Sequence, residues 1–119
     1  MPTIHIKRIY EKPSPDDGVR VLVDRLWPRG VSKEEASLDE WLKDIAPSTG
    51  LREWFDHKPE RFAEFSQKYE HELSINRAVD VLKSLLKKHA TVTLLYGAKD
   101  PQINHAVVLQ HYIEHPRRS

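Results

Sequence analysis

Val21-Leu22-Val23 presents apolar side chains to both faces of any strand that contains it. A strand of that kind is stable only when both faces are covered. This requirement constrains the chain more than any other feature. It excludes an open sheet with one wet face and points to layers of helix and sheet. Other segments supply the layers. Thr3 to Tyr10 reads as a strand, with Ile4 and Ile6 alternating with His5 and Lys7. Glu11 to Gly18 holds Pro13, Pro15, Asp16, Asp17 and Gly18, which is turn chemistry. Val19 to Asp24 is the second strand, broken by Trp27-Pro28-Arg29-Gly30. Thr91 to Tyr96 is the third.

Between the second and third strands the spacing turns helical. Ser37 is expected to cap a helix that carries Leu38, Trp41, Leu42 and Ile45 on one face and stops at Pro47. Ser48 or Thr49 starts a short helix with Leu51, Trp54 and Phe55. Pro59 suits a first helical position, and Phe62, Phe65, Tyr69 and Leu73 then recur at intervals of three and four as core residues. Ala78, Val79, Leu82, Leu85 and Leu86 mark a further amphipathic helix. Asp100-Pro101 reads as a carboxylate cap followed by proline, opening a last helix that runs to about His115.

The expected fold is therefore α/β: a small, mostly parallel sheet with helices packed around it, in a single domain over residues 1–119. The short link between the first two strands leaves an antiparallel pairing of those two open. A chain of 13.9 kDa buries roughly two thirds of its unfolded surface, enough for a core without staples. The chain holds no cysteine, so disulfides, thiol nucleophiles and thiolate metal sites are excluded. No apolar run is long enough to cross a membrane, and Met-Pro-Thr-Ile-His is not a secretory leader. A cytoplasmic location without membrane contact is the expectation.

The net charge of +1 conceals an asymmetry. Residues 1–30 and 76–119 are basic and residues 31–75 acidic. If the two basic ends meet, they form a patch that attracts anions; the plainer reading is ordinary variation of helical surfaces. Two strands also end in polar loops. One is Asp24-Arg25-Leu26-Trp27-Pro28-Arg29-Gly30. The other is Tyr96-Gly97-Ala98-Lys99-Asp100, with Asn104 and His105 just beyond. In open α/β sheets, ligands bind beyond the carboxyl ends of strands, beside helix N-termini.

On this reasoning Arg25, Trp27, Arg29, Tyr96, Lys99 and Asn104 are candidate substrate-binding residues, since arginine forks match carboxylates and phosphates. His105, Asp24 and Asp100 are candidate catalytic residues: a histidine that carries a proton and carboxylates that orient it. Each has a plainer use. Asp24 can pair with a neighbouring arginine, Trp27 can anchor a core, Lys99 can be a solvated charge, Asp100 can be a cap and Asn104 can bond a loop carbonyl. His111 and His115 have the spacing of a helical ligand pair, but no third ligand is evident, so no metal and no cofactor are expected. Arg117 and Arg118 make a basic tail too short for a nucleic-acid arm.

Val21 to Gly30 resembles the signature of a bacterial family, domain of unknown function 488, in its short YeaO-like branch. The resemblance continues through Trp41 to Ser48, Leu51 to Phe55, Leu94 to Asp100 and Asn104-His105-Ala106. Longer relatives carry a Cys-His-Arg-type element where this chain has Asn104-His105-Ala106. The resemblance implies a small α/β fold and a bacterial cytoplasmic origin, and carries no established reaction. Three functions remain in order. The first is a small enzyme acting on an anionic ligand, a nucleotide or phosphorylated molecule. The second is a non-catalytic anion-binding module, with nucleic acid possible as the ligand but not favoured. The third is a protein-interaction domain anchored on Trp27, its oligomeric state undetermined.

Overall fold

The computed structural model describes residues 2–115. Four strands form one sheet: β1 (Thr3–Arg8), β2 (Val19–Leu22), β3 (Glu40–Trp41) and β4 (Thr91–Tyr96). Their order is β1-β4-β2-β3 and every pair is parallel. The α/β reading holds. The question of how the first two strands pair dissolves, because β4 lies between them. Among the described residues five α-helices accompany the sheet: α1 (Lys33–Ala36), α2 (Thr49–Phe55), α3 (Phe62–Ser74), α4 (Ala78–Lys88) and α5 (His105–Glu114).

Alternation along the inner strands sends residues to two cores. Val21, Val23, Val92, Leu94 and Tyr96 join Phe65, Tyr69, Leu82 and Leu109 in the larger one. Leu22 and Leu95 join Ile9 and Ala36 in the smaller one, against Trp27, Leu38 and Trp41. Both faces of the sheet are covered, as Val21-Leu22-Val23 requires.

Two expected helix starts are not where the sequence placed them. Ser37 caps no helix. It sits in the left-handed region (φ 48°) and closes α1, while Ser32 and Glu35 form the capping box that opens it. Leu38, Trp41, Leu42 and Ile45 then separate. Leu38 and Trp41 pack in the smaller core, Leu42 and Ile45 in the larger. A helix presents one face to one core, so an apolar set shared between two sheet faces cannot be helical. Glu40 and Trp41 instead pair with Val21 and Leu22 as β3. The second correction concerns Asp100. Its Oδ1 accepts from the N–H groups of Gln102 and Ile103 at 2.8 and 3.1 Å, which makes a local turn. α5 begins at His105, capped by Asn104. Arg117 and Arg118 lie outside the described residues.

A buried polar network ties the smaller core together. Arg20, 4% exposed, donates from Nη1 to Asp17 and from Nε and Nη2 to the Ala36 carbonyl. Lys7 Nζ reaches Asp17 at 3.1 Å, and Thr93 Oγ1 donates to the Asp17 carbonyl.

Candidate functional site

A cleft of about 420 Å³ opens beyond the carboxyl ends of β2 and β4. Both polar loops reach it. Asp24, Arg25, Trp27 and Arg29 line it from one side, and Asn104 and His105 from the other. Tyr96, Lys99 and Asp100 do not line it. Tyr96 is 2% exposed; burial, with the charge of Glu11, raises the pKa of its phenol, which hydrogen-bonds Asn104. Lys99 and Asp100 are exposed on the loop outside. Phe55 and Phe65, stacked at 4.2 Å, give the cleft an apolar lining.

Short bonds to backbone hold the first loop in place. Trp41 Nε1 donates to the Asp24 carbonyl at 2.8 Å, Trp27 Nε1 to Val31 at 2.7 Å, and the Tyr10 hydroxyl to Arg29 at 2.9 Å. Trp27 also meets Trp41 edge to face at 5.3 Å, so it is a packing residue as well as a lining one. Arg25 spends its fork on the carbonyls of Ala46 and Pro47, at 3.1 and 3.3 Å. The second loop is held by Arg8 Nε, which donates to Ala98, and by Asn104. Asn104 donates to the Asp100 carbonyl while its oxygen accepts from Val107.

The two loops touch through Asp24 and His105. Asp24 Oδ2 accepts the Gly97 N–H at 2.8 Å. His105 Nε2 stands 3.0 Å from the Val23 carbonyl and 3.1 Å from Asp24 Oδ1. Both neighbours are acceptors, which places the proton of a neutral imidazole on Nε2. That N–H is directed at Val23, and the buried Oδ1 of Asp24 receives no aligned hydrogen bond.

Two lining residues escape a reading of the sequence: Arg52 on α2 and His57 just after it. Arg52 falls within the Leu51-to-Phe55 motif, but helical spacing assigns it only to a surface. His57 follows Asp56, and both take positive φ, 49° and 56°, which turns the chain back to the cleft. Among the described residues, the guanidiniums of Arg29 and Arg52 have no hydrogen-bond or ion-pair partner. The cleft thus gathers three guanidiniums and two imidazoles around one carboxylate. Among the same residues no group of three His, Asp or Glu could hold a metal. The His111 and His115 rings stack at 4.3 Å.

The chain is similar to known sequences. The chain is 42% identical over 110 residues to the uncharacterized protein YeaO of Escherichia coli K12, covering 92% of this chain and 96% of that one. It is 43% identical over 106 residues to the uncharacterized proteins Rv3073c of Mycobacterium tuberculosis and Mb3100c of Mycobacterium bovis, covering 89% of each chain. No solved structure matches it. The model of DUF488-N3i, described as the inactive DUF488-N3 subclade, matches residues 3–118. Loop motifs, sheet and site residues all fall within that span, and the chain belongs to the DUF488-N3i family.

Proposed function

We propose that the cleft is a receptor for a small organic anion, such as a nucleotide or phosphorylated metabolite, which it binds in the cytoplasm without turning it over. The observation that carries the reading is the pair of guanidiniums, Arg29 and Arg52, without a partner among the described residues, on a cleft that those residues give an apolar lining and a single carboxylate. A guanidinium fork is suited to phosphate or carboxylate. The apolar lining gives the remainder of such a molecule a place to be buried. Binding without turnover accords with a chain that holds no cysteine and belongs to a subclade described as inactive. Lys99, expected from the sequence to hold the anion, is replaced in this reading by Arg52. A cleft of this size takes a small molecule rather than a stretch of nucleic acid.

Calorimetric titration with sulfate and with organic phosphates tests the proposal. Arg29→Ala and Arg52→Ala are each expected to weaken binding by about tenfold or more, the worth of a charge-assisted hydrogen bond. Sulfate also stabilises proteins by exclusion from their surface. The comparison that decides is therefore between wild type and variant, with chloride as control. Equal affinities in all three proteins remove the arginines from the site.

A second reading, a proton-transfer enzyme, draws on the contact between Asp24 and His105. There His105 moves the proton and Asp24 orients it. Asp100, committed to its own turn, has no part. Turnover of any phosphorylated metabolite that is lost in His105→Asn, with folding retained, would select this reading over the first.

A further inference from the structure

We infer that the cleft takes up a proton together with its anion, and that the proton is held at Nδ1 of His105. The inference rests on the receptor reading above and adds to it how the site is regulated. With Val23 O at 3.0 Å and Asp24 Oδ1 at 3.1 Å, Nε2 of His105 carries its proton in the neutral ring and in the charged one alike. Nδ1 is the only ring atom left to gain or lose a proton.

Two sets of neighbours act on the charged ring in opposite directions. Asp24 favours it. Its buried Oδ1 lacks an aligned donor and faces the ring directly. The N-terminus of α5, where His105 is the first residue, opposes it, as do the guanidiniums of Arg25, Arg29 and Arg52 on the cleft wall, which the His57 ring also lines. From α3, Tyr69 meets the ring edge-on at 6.3 Å. Burial, then the charges of Glu72 and Asp24, push the pKa of its phenol well up, so it brings no charge. The carboxylate of Glu72 is engaged by the backbone N–H and hydroxyl of Ser48.

An anion bound among the guanidiniums offsets the opposing set and leaves Asp24 in place. The charged ring then has two favourable charges near it, Asp24 and the anion in the cleft that His105 lines. Linkage is reciprocal: if the anion promotes protonation, protonation promotes anion binding by the same factor.

Sulfate is the probe, because it carries no titrating proton near neutral pH. Calorimetry in two buffers of different ionisation heat is expected to show proton uptake on sulfate binding. The dissociation constant is expected to rise about fivefold or more between about pH 5.5 and 7.5, the range in which imidazole titrates. His105→Gln, which keeps a side-chain N–H for Val23 but cannot titrate, is expected to bind sulfate without uptake and with little pH dependence. NMR of the His105 ring nitrogens in wild type reads Nδ1 directly and does not depend on the variant folding. Sulfate binding with no proton uptake, or uptake that persists in His105→Gln, overturns the inference and leaves the receptor standing. Failure of sulfate and organic phosphates to bind at any pH overturns both.

Discussion

Gly18→Ala is expected to destabilise the protein by about 4 kcal/mol, the sum of backbone strain and steric overlap. For a chain of this size that lowers the melting temperature by about 15 °C. Gly18 closes the turn before β2 at φ 64° and ψ −135°, a conformation that residues with a Cβ avoid. An added Cβ would lie 2.2 Å from the Thr91 carbonyl oxygen and 2.8 Å from the Thr91 carbonyl carbon. Those are backbone atoms at the start of β4, which pairs with both β1 and β2. Relief requires moving an inner strand of the sheet. Gly30 is the internal control. It also has positive φ, 77°, but a Cβ there meets nothing within 4 Å. Gly30→Ala is expected to cost about 1 kcal/mol, the conformational part alone. Thermal unfolding of the two variants side by side separates clash from strain. Equal costs would mean that the approach to Thr91 is not felt.

Arg20→Met is expected to cost about 3 kcal/mol, as when one partner of a buried ion pair is removed. Methionine keeps the apolar stem and deletes the guanidinium. The Ala36 carbonyl loses both its side-chain donors, and Asp17 loses the Nη1 contact at 2.5 Å. The cost depends on pH with a definite sign. Burial alone would raise the Asp17 pKa. Hydrogen bonds from Ser14, Lys7 and Arg20 outweigh burial and hold it below the usual carboxylate value of 3.8. A carboxylate with a depressed folded pKa contributes stability that is present above its unfolded pKa. That contribution is lost as pH falls through the folded one. The gap between wild type and Arg20→Met in denaturant unfolding is therefore expected to be widest near about pH 7 and to narrow below about pH 4. A gap independent of pH would remove Asp17 from the network's energetics.

The strands and the longer helices were legible because their residues answer to one neighbour. Phe65, Tyr69 and Leu73 recur on one face of α3 because one core receives them. β3 was not legible. Two residues carry no period, and Glu40 and Trp41 become a strand only because β2 offers an edge. The Ser32–Glu35 capping box was present in the sequence, but it opens a helix of only four residues, with no apolar stripe to announce it. Asp100 and Asn104 competed for the start of α5. Asn104 prevails because its amide bonds both Val107 and the Asp100 carbonyl, whereas Asp100 spends its oxygen on Gln102 and Ile103. At the cleft, the edge and its first loop could be placed from strand ends alone. Arg52 and His57 could not, because what brings them there is the path of α2 and the two positive-φ residues after it.

The position of β4 has a consequence for how the chain is made. The strand that joins β1 to β2 is the last of the four to be synthesised, and Thr3 finds its partner only at Thr91. Until then β1 has no strand beside it and β2 has only the two residues of β3, so Val21-Leu22-Val23 lacks the inner strand and most of the core that cover it. Pairing over so long a separation carries a large loop-closure entropy, which places the rate-limiting step late. Folding is thus tied to synthesis of the chain through β4. A ribosome stalled before residue 91 would hold a nascent segment with helices able to flicker locally but no core to keep them.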